Sequence, residues 1–165
     1  MIITKEELEK LINQPEPINL AGANLENADL QDAFLEGANL QNTYLIKANL
    51  EGANLKSANL LGSNLMGANL EEAKLWGANF IDANLTGTNM KNADLRLANM
   101  EGAILDGANM EGAFLCFTNL RNATMKGTNL KNAILDEVII DEISLNEAIQ
   151  ENTYVNAVEN IDQND

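Results

Sequence analysis

At 165 residues and 17.9 kDa the chain is long enough to bury one continuous core as a single unit. Ten Lys and Arg against 25 Asp and Glu leave a net charge of −15, which argues against direct binding of nucleic acid or of an anionic membrane surface. With no histidine and a single cysteine, Cys116, the chain lacks the commonest metal ligand and any internal disulfide, so neither metal nor cofactor is expected.

The opening residues Met1-Ile2-Ile3-Thr4-Lys5-Glu6-Glu7 show no basic segment followed by an apolar run. No later stretch approaches the roughly 18 apolar residues of a membrane span. A cytoplasmic protein is therefore expected. Thr4 and Glu7 have capping-box spacing, and Leu8, Leu11 and Ile12 share one helical face ahead of Pro15 and Pro17. This predicts an N-terminal helical cap.

From Leu20 to Leu145 every position divisible by five holds Leu, Met, Phe or Ile, without one insertion. Two residues before each of these centres, from Ala23 to Ala133, stands only Ala, Ser or Thr. Two residues after a centre fall all 11 glycines, together with Asn27, Asn42, Asn92, Asn122 and Asn132. A period of five matches neither the 3.6 of a helix nor the 2.0 of a straight strand, so the chain must change direction once per repeat. Gly and Asn accept the positive φ that a type II turn needs at its third residue, which makes that slot a corner. By the same logic Lys47, Glu72, Leu97 and Phe117, which occupy the corner slot, are expected to avoid positive φ.

Up to Leu135 the slot before each centre holds Asn or Asp, with exceptions at Phe34, Tyr44, Lys74, Ile104, Phe114, Thr124 and Ile134. All seven have numbers ending in four, whereas the positions ending in nine from Asp29 to Asn129 are all Asn or Asp. Alternate sides are thus under different constraints. That requires an even number of sides per turn, and four is the smallest even number that encloses a core.

Beyond the regular repeats, Val138 and Ile143 break the small-residue rule, so the coil is expected to widen or end there. Ser144 and Glu147 have capping-box spacing, with Leu145, Ala148 and Ile149 as apolar contacts, which predicts a short C-terminal helix. Asn160 to Asp165 are expected to be disordered. Residues 136–165 carry nine acids and no base, so most of the net charge belongs to this end and not to the repeats.

The copies Ala23-Asn24-Leu25-Glu26-Asn27, Ala53-Asn54-Leu55-Lys56-Ser57 and Ala68-Asn69-Leu70-Glu71-Glu72 resemble the A(D/N)LXX pentapeptide-repeat family over roughly residues 18–147. Lacking loops, they look most like its small cyanobacterial members. The resemblance implies an all-β fold, a right-handed quadrilateral β-helix with twenty residues per coil. It also implies about six coils and a rod about 30 Å long at the roughly 4.8 Å spacing of paired strands. The chain then divides into an N-terminal cap (1–17), the repeat β-helix (18–143), and a C-terminal cap with an acidic tail (144–165).

Catalysis fails on inventory: Ser57, Ser63 and Ser144 are the only serines, no histidine can activate them, and no phosphate-binding loop is present. The chain is not expected to be an enzyme. With residues twenty apart stacked, the side centred on Leu75, Leu95 and Leu115 sets Trp76, Leu97, Phe114, Cys116 and Phe117 outward on adjacent coils, a candidate protein-binding surface. Local packing is the rival explanation. Ile46, Leu61, Met66 and Ile81 form a looser cluster on the next two sides. These features point to a protein-interaction, scaffold or regulatory solenoid with a protein partner, as a monomer or an end-to-end homodimer. The family also contains DNA mimics that bind type II topoisomerases and confer quinolone resistance, which supplies an alternative. For that role the best row is Asp29, Asp32, Glu51, Glu71, Glu72 and Glu111, but Lys91 and Lys131 interrupt it.

Overall fold

A computed structural model describes Lys10, residues 18–148 and residues 153–159. The N-terminal helix expected over 1–17, apart from Lys10, and the disorder expected over 160–165 lie outside these residues. Parallel bridges join residue n to residue n+20 without a break, from Asn19 with Asn39 to Asn119 with Ile139. Four five-residue sides therefore make one coil, and the protein is a repeat β-helix. Each side pairs with the next coil through the single residue before its centre, so bridges stand where longer strands would form in an ordinary sheet.

The centres from Leu20 to Ile140 are all buried, as are the small residues two before them, with Ala28 partly open. Together they form one cluster along the axis. Ser and Thr are tolerated in the small slot because their hydroxyls find carbonyls. Thr43, Thr118 and Thr128 donate to Leu20, Leu95 and Leu105 of the preceding coil, while Ser63 and Thr88 donate to Leu60 and Leu85 of their own. Among the described residues no buried side-chain polar atom lacks a partner.

Every corner from Gly22 to Glu137 has positive φ, whatever its residue. This corrects the expectation for Lys47, Glu72, Leu97 and Phe117, whose φ values are 54, 56, 60 and 60°. The reason is the stacking register. The Leu97 amide donates to Cys116 of the next coil at 3.0 Å, and the Ala98 amide closes the turn on Leu95 at 3.0 Å. A type I turn, with negative φ, would keep the Ala98–Leu95 bond but rotate the Leu97 amide away from Cys116, giving up the bond to the next coil in return for relief of a left-handed strain of about 1–2 kcal/mol. Bonds repeated in every coil hold the corner open against local preference.

The alternation of sides also has a structural cause. On the side centred on Leu30, Leu50 and Leu70, amides twenty residues apart stack: Asn49 donates to Asp29, Asn69 to Asn49, Asn89 to Asn69, Asn109 to Asn89 and Asn129 to Asn109, at 2.9–3.2 Å. On the opposite side, Asn79 donates to Asn59 and Asn119 to Asn99. Each carboxamide oxygen also accepts from the backbone N–H two residues on, an Asx turn that supports the corner, as when Gln41 donates to Asn39. A ladder needs the same residue in successive coils. A turn support alone does not, which leaves the other two sides free to vary.

Strand β1, Ile134–Ile139, pairs in parallel with β2, Tyr154–Glu159, again twenty residues on, with register shifts around Asp136. Val138 is buried, and Glu137 keeps the positive φ of a corner. Between the strands lies helix α1, Glu142–Glu147, N-capped by Asp141 without a side-chain capping bond. The expected Ser144 capping box is corrected here. The Ser144 hydroxyl donates to the Ala123 carbonyl of the coil before it, at 2.8 Å. Leu145 and Ala148 pack against the core, and the Gly127 amide donates to Glu147.

Candidate interaction surface

Stacking turns sequence slots into columns, and the columns sort the surface. Among the described residues eight large hydrophobic side chains are well exposed, between 40% and 61%: Phe34, Tyr44, Met66, Trp76, Leu97, Ile104, Phe114 and Phe117. None lies on a side bearing the Asn ladders. Phe34, Trp76, Leu97, Phe114 and Phe117 share the side with centres at Leu35, Leu55, Leu75, Leu95 and Leu115, and Tyr44, Met66 and Ile104 share the side opposite. Phe34, Tyr44, Ile104 and Phe114 occupy the slot before the centre, where on a ladder side a large apolar residue would cut the amide stack.

Of the residues singled out in the sequence, Trp76, Leu97, Phe114 and Phe117 are exposed on one side as expected, and Cys116 is half-buried beside them. Phe114 and Phe117 are covered neither by the coil nor by the described part of the C-terminal segment. The looser cluster does not hold together. Leu61 and Ile81 are half-buried on a ladder side, while Ile46 and Met66 lie on the next. Sequence reasoning missed Phe34, Tyr44 and Ile104 as exposed residues, although the slot that breaks the Asn rule had marked all three.

Column neighbours shape the site further. Lys56, Trp76, Arg96 and Cys116 follow one another in one column, and Lys74, Asp94 and Phe114 in the adjacent one. The Arg96 guanidinium grips the Asp94 carboxylate through Nε and an η nitrogen, both at 2.7 Å. Arg96 beside Asp94 holds that carboxyl below its usual range, outweighing the upward push of partial burial. Next to this pair a shallow cleft of about 440 Å³ is lined by Glu36, Lys56, Ser57, Trp76, Asp94 and Arg96. Leu97 and Phe117, one above the other at left-handed corners, combine backbone strain with exposure of apolar surface. Among the described residues no cluster of Cys, Asp or Glu could hold a metal ion.

The profile described as "Pentapeptide repeats (8 copies)" matches residues 18–56, 35–70, 63–102 and 98–136. No curated protein matches the sequence. Among solved structures, one similar chain is a pentapeptide repeat protein from the Arabidopsis thaliana thylakoid lumen, 29% identical over 58% of this chain and 63% of that one, with a TM-score of 0.47. This chain thus spans less than two thirds of that relative. HetL, a pentapeptide repeat protein involved in heterocyst differentiation regulation from the cyanobacterium Nostoc sp. strain PCC 7120, is 28% identical over 88% of this chain and 69% of its own, with a TM-score of 0.37. QnrB1, a plasmid-mediated fluoroquinolone resistance protein, superimposes with a TM-score of 0.57 at 15% identity, covering 84% of this chain and 79% of its own, a likeness of fold alone. Coils of twenty residues, corners every fifth residue and a profile match across most of the chain lead to one conclusion: the protein belongs to the pentapeptide repeat family.

Proposed function

We propose that this protein is a non-catalytic binding module that engages a protein partner through the side bearing Trp76, Leu97, Phe114 and Phe117. The observation that carries this reading is the segregation of exposed apolar residues. Five of the eight lie on one side, although polar residues fill the same slots elsewhere. Two of the five keep a left-handed corner where Gly or Asn would be less strained. Apolar side chains kept outward in a strained corner gain nothing for the isolated rod, whereas a partner would bury them. In a pull-down from the source organism, Trp76→Ala/Phe117→Ala is expected to lose the partner by at least about tenfold while keeping the circular dichroism of the wild type. Unchanged capture by the double variant would end this reading.

The alternative of a DNA mimic acting on a type II topoisomerase would require a row of free carboxylates along the rod. Here the Glu51 and Glu71 carboxylates accept the Asn69 and Asn89 amides, and Lys91 lies 3.7 Å from Glu111 within the same row. The amide bonds tie two of these carboxylates to the side and Lys91 offsets a third, so the row is neither free nor uniformly negative. In a gyrase supercoiling assay the protein is expected to neither inhibit the enzyme nor protect it from a quinolone at low micromolar concentration. Potent inhibition or protection would reverse the ranking.

A further inference from the structure

We infer that the occupant of the Trp76 to Phe117 side is a second copy of this chain, laid side by side with the first and antiparallel to it, an inference that rests on reading that side as an interface. The argument is self-complementarity. When two such sides face each other about a two-fold axis lying across the rods, every column meets itself in reverse order. With the axis between the coils of Trp76 and Arg96, the overlap takes in every coil from Phe34 to Ile134. The corner column reads Gly37, Ser57, Gly77, Leu97, Phe117 and Glu137, small in its first half and large in its second. Reversal therefore sets the exposed Leu97 of one copy over Gly77 of the other, and the exposed Phe117 over Ser57. Each large side chain meets a small one.

Charge follows the same register. At the centre Lys74 of each copy meets Asp94 of the other, and Trp76 of each meets Arg96. Arg96 grips Asp94 edge-on through Nε and an η nitrogen, which leaves the guanidinium face for the Trp76 ring of the other copy. At the outer coils Phe34 meets Ile134. Like charges meet only there, where Glu36 faces Asp136 and the neighbouring Glu137 at the two ends of the overlap. The Glu36 carboxylate accepts the Asn54 amide, and solvent screens the rest. Moving the axis half a coil sets Lys74 on Lys74 and Lys56 on Arg96, or, the other way, Asp94 on Asp94 and Arg96 on Arg96. Parallel rods would set Glu36, Lys56 and Arg96 each on its own copy. The side as a whole carries Lys56, Lys74 and Arg96 against Glu36, Asp94, Asp136 and Glu137, a balance of −1 in a chain of −15, so two acidic rods can approach here. Over these coils the strip is about 29 Å long and no more than about 16 Å wide. It offers at most about 500 Å² per copy against the roughly 800 Å² of a standard interface, so the dimer is weak and reversible.

Sedimentation equilibrium of the full chain between about 5 and 300 μM is expected to show a monomer–dimer equilibrium in the micromolar range, weakened at least roughly tenfold in Trp76→Ala/Phe117→Ala. The register is read with the native Cys116, the only cysteine, which faces Lys56 of the other copy. Within one chain those two residues stand three coils, about 14 Å, apart, too far for a disulfide. Lys56→Cys is therefore expected to give a covalent dimer under mild oxidation with copper phenanthroline, whereas Glu36→Cys, which faces Asp136, gives none. A chain that stays monomeric throughout would overturn the second copy while leaving the side open to a different protein, a question the pull-down answers separately. A dimer indifferent to the Trp76 and Phe117 changes, or one cross-linked through Glu36→Cys and not through Lys56→Cys, would overturn the inference by placing the contact elsewhere or in another register.

Discussion

Replacing Asn89 by alanine is expected to destabilise the protein by about 3 kcal/mol, whereas the same change at Asn64 should cost about 1 kcal/mol or less. Both residues occupy the slot before a centre, and both are half-buried. Asn64 makes one bond, accepting the Met66 amide at 3.2 Å. Asn89 sits in the middle of a ladder. Its Nδ2 donates to Asn69 and to Glu71, each at 3.0 Å, and its Oδ1 accepts from the Lys91 amide and from Asn109. Four bonds at about 0.5–1.5 kcal/mol net, in a partly exposed setting, give the larger figure. Truncation also leaves the Asn69 oxygen and the Asn109 donor without their rung. Urea unfolding midpoints of the two variants measure the difference. Equal losses would mean that the ladder adds nothing to the turn support that both residues provide.

That contrast is half visible in the sequence. The rule that positions ending in nine are Asn or Asp, while those ending in four are not held to it, is the ladder seen in one dimension. The pattern could say that alternate sides obey different constraints, but it could not say that the constraint was a bond between coils, because the partner lies twenty residues away. Centres and small slots were legible for a simpler reason: each answers only to the space it fills. The corners misled. A residue-by-residue preference argued against positive φ at Leu97 and Phe117, yet the amides of both corners are held by the next coil. Register is a property of the stack, and a single repeat does not reveal it.

The C-terminal end is the least legible part of the sequence. Ser144 has the spacing of a capping residue, but its hydroxyl serves the Ala123 carbonyl one coil earlier. The segment read as a cap and tail, 144–165, includes a strand that pairs with Ile134–Ile139. A local helix signal and a continuing coil can coexist. Helix α1 occupies the place of one side, with Leu145 inward, and the chain then returns to the twenty-residue register at Tyr154. The candidate surface was legible in part, since Trp76, Leu97, Phe114 and Phe117 were placed together by column arithmetic. Phe34 escaped because it stands four coils from Phe114 in the same column, beyond the adjacent coils over which a cluster was sought.

Gly52→Ala is expected to cost about 2 kcal/mol or more, and Gly87→Ala about 1 kcal/mol, although the two glycines have nearly the same backbone, φ 65 and 64°. The shared part is the left-handed conformation, which an alanine occupies at a penalty of about 1–2 kcal/mol, partly offset by its smaller entropy when unfolded. The unshared part comes from the coil before. A Cβ on Gly87 would meet open space, whereas one on Gly52 would run into the Asp32 carboxylate, the corner residue twenty positions earlier. The same relation holds for Gly62 over Asn42, Gly102 over Asp82 and Gly112 over Asn92, so a short polar corner residue leans into the space that a glycine leaves in the next coil. Asp32 is exposed and can swing aside, which limits the added cost to the loss of its preferred rotamer and contacts. In an Asp32→Ala background Gly52→Ala should therefore cost no more than Gly87→Ala, a coupling that a double-mutant cycle in urea reads directly. If Gly52→Ala costs no more than Gly87→Ala, or if removing Asp32 recovers nothing, corners in successive coils are independent and only the backbone angle matters.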